Sequence, residues 1–386
     1  MTDNWNKIKE ITTKFNDLST LGFANSLVTI ILGIFWFFMA NLLGTEGFGE
    51  VSYFLSIASI SYVIGLVGGG HTVVVFTAKE EKAQVSVFFL SIISGIILSI
   101  VIFFIFNDVG ISLYAIGNVI FTLAISDMLG RKRFKDFAKY VIFQIIILVI
   151  LATALFYVIG PSGIILGFAL SFFPFSIVIY RRFKESKFSV SIIKSRFKFM
   201  MHSYSLELTR NFTKSLDKII IGPLFGFAVL GNYHLGFQAL MVMSLLPTIV
   251  YQYILPHDAR GTQNVKLKKA TILVSIGLAV LGLLIAPVVI PVLFKEYSDT
   301  VEIVQIMSVG IVPLTVGYMY TSKFLGMEKS RYVLFSSIIY IVIQVSLIFL
   351  LGSIMGINGA AIALVLAAAS QSAYLVTVDK FILKTR

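Results

Sequence analysis

The chain contains no cysteine, which excludes disulfides and thiolate metal ligation and leaves the redox compartment unread. Charge is scarce as well: 13% of the 386 residues are charged, against 58% hydrophobic. A soluble domain of this length could not hide so much apolar surface, so lipid must be the main solvent of the outer face. Acidic residues are the rarer sign, 19 against 31 Lys and Arg, for a formal net charge of +12. No zinc-ligand spacing, RNA-binding sheet signature or isolated basic domain accompanies that excess, so no nucleic-acid partner is expected. In a membrane protein, basic residues gathered in cytoplasmic loops explain it. Histidine is limited to His71, His202, His234 and His257, scattered over different segments. No nucleophile–base pair and no metal cluster assembles from them, so neither an enzyme nor a bound cofactor is expected. A cleavable signal is not expected either, because residues 1–17 carry both charge signs and the first apolar run is too long for an h-region.

Long apolar runs are present along the whole chain. Hydropathy places twelve spans near 18–43, 50–70, 84–107, 109–128, 138–160, 162–180, 203–225, 231–255, 269–293, 301–321, 332–353 and 357–378. Before the first, Trp5, Ile8, Ile11, Thr12 and Phe15 recur at helical spacing and predict an amphipathic helix on the membrane surface. With the N-terminus inside, every Lys and Arg falls in a cytoplasmic segment except Lys295 and three residues of the seventh span. Glu46, Glu50, Asp108, Glu296, Asp299 and Glu302 fall outside. Both termini are therefore expected in the cytoplasm, with the chain in the cell (cytoplasmic) membrane.

Glycines reveal a repeat. Gly130, Gly160 and Gly163 recur as Gly326, Gly356 and Gly359 at one ungapped offset, 326−130 = 356−160 = 359−163 = 196. Earlier in each copy, Leu42-Leu43-Gly44 with Gly49 recurs as Leu224-Phe225-Gly226 with Gly231, at an offset of 182. Six spans per copy is an even number, so the copies share one orientation and are related by an axis along the membrane normal. The fold expected is an all-α integral membrane protein of about twelve helices in two pseudo-symmetric six-helix lobes around a central cavity. The N-lobe would be 1–190, the amphipathic helix plus six spans, and the C-lobe 191–386.

The seventh span departs most from lipid-compatible composition, with Glu207, Arg210, Lys214, Asp217 and Lys218. At about 100° per residue these five occupy an arc of roughly 100°, which Asn211 and Tyr204 extend. Each ionised side chain facing lipid at mid-bilayer would cost roughly 2.5–3.5 kcal/mol, so the face must line water or protein. Two readings stay open. A cationic face at the midplane suits an anionic substrate, Arg forking two phosphate oxygens and Lys acting as a point charge. Alternatively Glu207 with Arg210, and Lys214 with Asp217, neutralise each other as i, i+3 pairs. Other polar groups within spans are Asn25, Gln144, Gln238, Gln252, Gln305, Gln344 and Gln371, which either meet sugar hydroxyls or join helices. Tyr233, Tyr251, Tyr253, Tyr318 and Tyr320 either stack sugars or anchor helix ends. Pro174, Pro247, Pro287 and Pro313 could kink their spans.

Leu43-Gly44-Thr45-Glu46-Gly47-Phe48-Gly49 resembles the LG-x-x-x-[YF]-G turn of polysaccharide flippases of the multidrug/oligosaccharidyl-lipid/polysaccharide exporter superfamily. Ser215-Leu216-Asp217-Lys218-Ile219-Ile220-Ile221-Gly222 resembles the family's D-[KR]-hydrophobic-hydrophobic-[IL]-G in the seventh span. Gly231-Asn232-Tyr233 and the Gly-x-x-Gly openings of spans six and twelve are similar too. The resemblance implies alternating access and passage of a polyprenyl-pyrophosphate-linked oligosaccharide to the external leaflet. It implies a cavity bearing Arg210, Lys214, Lys218, Asp217, Glu207, Asn211 and Asn25, with membrane lipids, a glycan polymerase or glycosyltransferases as partners. No nucleotide-binding motif is present, so a coupling cation (H+ or Na+) or the substrate gradient would drive transport. Lipid II flippases of the superfamily have fourteen spans and arginines in span one, where this chain offers only Asn25, which sets the peptidoglycan precursor apart. The alternative within the architecture is a multidrug and toxin extrusion type cation-coupled antiporter.

Overall fold

The structure, a computed structural model, describes residues 2–79, 84–184, 188–262 and 264–382, with side chains described from Thr20 onward apart from a few near 190–195. The amphipathic pattern of Trp5 to Phe15 therefore lies outside the described side chains. All regular elements among the described residues are helical: α1 (Thr2–Leu66), α2 (Gly69–Ala78), α3 (Gln84–Phe106), α4 (Val109–Gly130), α5 (Phe134–Ile159), α6 (Pro161–Phe172) and α7 (Ser176–Phe183). The second half holds α8 (Val190–Phe225), α9 (Phe227–Met243), α10 (Leu245–Ala259), α11 (Val265–Leu293), α12 (Thr300–Gly326) and α13 (Ser330–Thr377). The long elements α1 and α13 are each two spans joined at one non-helical residue, Gly44 and Gly356. Pro174 sits in the 3-10 turn that divides α6 from α7, and a bend of 48° at Ser244 divides α9 from α10. Counting each broken pair as its spans gives the twelve helices the hydropathy predicts.

The repeated glycines are where the helices break. Gly44 (φ 66°, ψ −178°) and Gly226 (φ 94°, ψ 161°) take the same left-side, extended conformation. So do Gly160 (φ 74°, ψ −154°) and Gly356 (φ 58°, ψ −135°). A side chain at such φ, ψ values would clash with its own backbone, which is why the sequence keeps glycine there. Tyr297 secures the first break, its hydroxyl lying 2.8 Å from the carbonyls of both Ala40 and Gly44. Burial, then the Glu296 carboxylate beside it, push that hydroxyl's pKa well up, so it remains a donor.

Further down the repeat, contacts match residue for residue. A Cβ on Gly163 would strike the carbonyl of Leu155, and one on Gly359 the carbonyl of Leu351, again 196 residues on. Gly49 lies against the backbone of Phe227, and Gly231 against that of Thr45, so equivalent glycines let equivalent helices cross. Even an ion pair repeats, with its polarity reversed. Asp127, fully buried, meets Arg182 at 2.9 Å and Arg131 at 3.0 Å. Position 127 + 196 is Lys323, which meets Asp379, one residue beyond the counterpart of Arg182, at 2.6 Å.

Contacts group the chain into two compact units: residues 1–32 with 57–208, and residues 33–56 with 209–386. The sequence boundary near 190 thus differs from the grouping by contacts at 33–56 and 191–208. The reason is that α1 and α8 are continuous helices, each long enough to supply residues to both groups. In the first unit Gln144 donates to Ser171 at 2.9 Å, tying α5 to α6. In the second, Gln305 donates to the Leu283 carbonyl at 2.9 Å, tying α12 to α11. These glutamines join helices. The outward faces are apolar: Leu273, Leu284, Val288 and Val292 of α11 are each about two-thirds exposed, a surface suited to acyl chains and not to water.

Candidate functional site

α8 carries the charges singled out in the sequence, as one unbroken helix of 36 residues. It is too polar to count as an apolar span, in keeping with a face that lipid does not solvate. The structure treats the five ionisable groups in three different ways.

Glu207 belongs to the first unit. Its Oε1 accepts the His71 backbone N–H at 2.8 Å, just past the Gly68-Gly69-Gly70 turn. Gly68 supplies a positive φ of 71°, and Gly68 and Gly70 leave the room that lets this turn approach Met200, Tyr204 and Glu207. The glycine run is thus a helix-docking turn. Asn25, half-buried in the same unit, accepts the Thr29 hydroxyl on its own carbonyl at 2.8 Å.

Asp217 and Lys218, in the second unit, are buried together, with 1% and 5% of their side chains exposed. Asp217 Oδ1 accepts the Lys218 backbone N–H at 2.9 Å and lies 3.2 Å from Lys218 Nζ. Its Oδ2 accepts the Tyr233 hydroxyl of α9 at 2.8 Å. Lys218 Nζ donates to the Lys214 carbonyl at 2.7 Å and sits 3.9 Å from the centre of the Phe237 ring. A buried ammonium thus has a carboxylate, a carbonyl and an aromatic face, the set that tolerates it in a low-dielectric interior. The i, i+3 pair of Lys214 with Asp217, one of the two readings open from the sequence, is not what forms. Asp217 is taken by its immediate neighbour and by a tyrosine from another helix. Beside this cluster His234 is buried among Trp36, Phe48 and Phe237, with its Nε2 at 3.1 Å from Gln238.

Arg210 and Lys214 are exposed. Among the described residues of the second unit, no carboxylate pairs with either. Asn211, next to them on the face, is half-buried. What remains on this part of α8 is two exposed cations that no carboxylate among the described residues of the second unit neutralises, next to a neutralised pair that pins the helix to α9. That arrangement can receive an anion with two or more oxygens. Sequence reasoning missed the anchoring roles of Tyr233 and Phe237. Their i, i+4 spacing on α9 was the available signal. It also missed the Asp258 cluster, where Lys268 at 2.6 Å and the Ser322 hydroxyl at 2.6 Å meet one buried carboxylate.

Several solved structures of transporters have similar folds. The lipid II flippase MurJ, in an inward closed conformation, matches with a TM-score of 0.74 at 14% identity, over 93% of this chain and 87% of that one. A multidrug resistance MATE family transporter of the MOP superfamily, inward-facing, matches with a TM-score of 0.70 at 14% identity, over 93% and 95%. A MOP superfamily transporter from Pyrococcus furiosus, noted for the reverse polarity of its binding pocket, matches at 0.58 with 15% identity, over 96% of each chain. At these identities the likeness establishes the fold, a two-lobed transporter architecture of membrane helices. No curated protein matches the chain. The family of polysaccharide biosynthesis proteins matches residues 38–307, more than half of the sequence, and the chain belongs to that family.

Proposed function

We propose that the protein is an alternating-access flippase that carries a polyprenyl-pyrophosphate-linked oligosaccharide across the cytoplasmic membrane. The observation that carries this reading is the pair of exposed, unneutralised cations, Arg210 and Lys214, on a membrane-embedded helix. Family membership supplies the glycan, and the fold supplies the transport. A cation left without a counter-charge inside a membrane protein is costly unless a ligand or water meets it. A pyrophosphate meets both: Arg210 forks two of its oxygens, and Lys214 adds a point charge. The buried Asp217–Lys218 pair and its bond to Tyr233 hold the register of α8, so the two cations keep one position. The polyprenyl tail stays among lipids. A cation-exporting antiporter would instead set carboxylates where Arg210 and Lys214 stand.

Under this reading the coupling cation is H+ or Na+, and the glycosyltransferases and polymerase that precede and follow the flip are the functional partners. Both termini face the cytoplasm. The test is export of a lipid-linked glycan in cells lacking the endogenous flippase. Arg210→Gln and Lys214→Gln each remove a charge-assisted bond and lower export by about ten- to a hundredfold. Membrane insertion and monodisperse elution stay at the wild-type level. Normal export by the double variant refutes the site.

A further inference from the structure

We propose that Tyr251 and Tyr318 form a sugar-stacking subsite beside Arg210, which reads the first sugar on the pyrophosphate. This rests on the flippase reading above and adds to it a part of the substrate, the reducing-end hexose or N-acetylhexosamine.

Three observations converge within the second unit. The rings of Tyr251 on α10 and Tyr318 on α12 lie 5.8 Å apart with their planes at 41°, an open, tilted pair and not a closed stack. Both residues are only half-buried, so each keeps ring surface to offer. Arg210 lies close enough to Tyr251 for its charge to act on that residue. A cation and an aromatic platform are therefore neighbours, drawn from three helices. Other tyrosines of the C-terminal half are engaged otherwise: Tyr233 is fully buried on Asp217, and Tyr297 closes the Gly44 break.

The chemistry of the substrate has the same order. In a polyprenyl pyrophosphate glycoside the distal phosphate bears the first sugar directly, so a group adjoining the phosphate site meets that sugar and no later one. A pyranose has an apolar C–H face, and a tyrosine ring is an apolar surface with a polar tip. Stacking asks for the ring and not for its hydroxyl. A hexose with equatorial substituents presents the flattest such face, and this site should prefer it.

The experiment measures binding to purified protein in lipid nanodiscs. One probe is undecaprenyl pyrophosphate, and the other is the same lipid carrying a single N-acetylglucosamine. The quantity read is the ratio of the two affinities. Wild type favours the sugar-bearing probe by about tenfold. Tyr251→Ala and Tyr318→Ala each bring the ratio towards one, while Tyr251→Phe and Tyr318→Phe keep it. Arg210→Gln weakens both probes in parallel and leaves the ratio near its wild-type value. A ratio of one in wild type, or a ratio unmoved by either alanine, overturns the subsite while the pyrophosphate reading stands. Failure of wild type to bind either probe overturns both.

Discussion

Asp217 shows how a single residue's partner decides what a charged face is for. An i, i+3 pair with Lys214 would have neutralised the very cation proposed to meet substrate. The structure gives Asp217 to Lys218 and Tyr233 instead, which leaves Lys214 unneutralised. The two arrangements predict opposite stabilities. Asp217→Asn strands a buried ammonium, and removing one partner of a buried pair costs about 3–5 kcal/mol. Its thermal midpoint in detergent should fall sharply, and adding Lys218→Gln should recover most of the loss. Lys214→Gln should stay within about 0.5 kcal/mol of wild type, as exposed substitutions do. If Lys214→Gln destabilises as much as Asp217→Asn, the i, i+3 pairing holds after all. Composition and helical period were enough to find this face, because five charges in one arc are conspicuous in an apolar chain. They could not assign its partners, since Tyr233 and Phe237 reach it from α9, and such contacts are set by tertiary packing.

At the scale of elements, the glycines were the most legible feature. Offsets of 196 and 182 pointed to equivalent positions, and those positions are helix breaks and helix crossings with matching contacts. Their legibility has a physical origin: no other residue takes the break conformation cheaply, and no Cβ fits the crossings. Breaks and crossings should therefore answer differently to alanine. Gly356→Ala meets no neighbour within 4 Å, so it suffers only backbone strain of about 1–3 kcal/mol. Gly231→Ala drives a methyl group into the Thr45 backbone and has to push two helices apart. Thermal unfolding should show Gly231→Ala as the more damaging, with expression lost before that of Gly356→Ala. An equal, small effect at both sites would mean the crossing has slack. The opposed ion pairs Asp127–Arg182 and Lys323–Asp379 were not legible, because a repeat that swaps charge signs leaves no identity to align.

For the whole molecule, the orientation proposed above rests on the distribution of basic residues among the helix ends. Arg131 follows α4, Lys266 opens α11, and Lys329 precedes α13, while Lys295 and Glu296 lie in the α11–α12 connection with Glu46 just past the Gly44 break. By the parity of the spans along the chain, the first three each follow an even number of spans and the last three an odd number. Lys194, Arg196 and Lys198 do not sit in a loop but extend α8 at its N-terminal end, which lengthens that helix beyond its apolar part. Lysine and arginine are held back on the cytoplasmic side during insertion, whereas carboxylates contribute little to orientation. With only Lys295 among the basic residues on the carboxylate-rich side, the N-terminus and C-terminus should both be cytoplasmic. Because the chain has no cysteine, each site can be read alone. Lys295→Cys and Glu46→Cys should react with an impermeant thiol reagent added to intact cells. Lys135→Cys, Lys266→Cys and Lys329→Cys should react only after permeabilisation. Reaction of Lys329→Cys from outside would invert the orientation, and with it the direction in which Arg210 and Lys214 would pass a phosphate through the membrane.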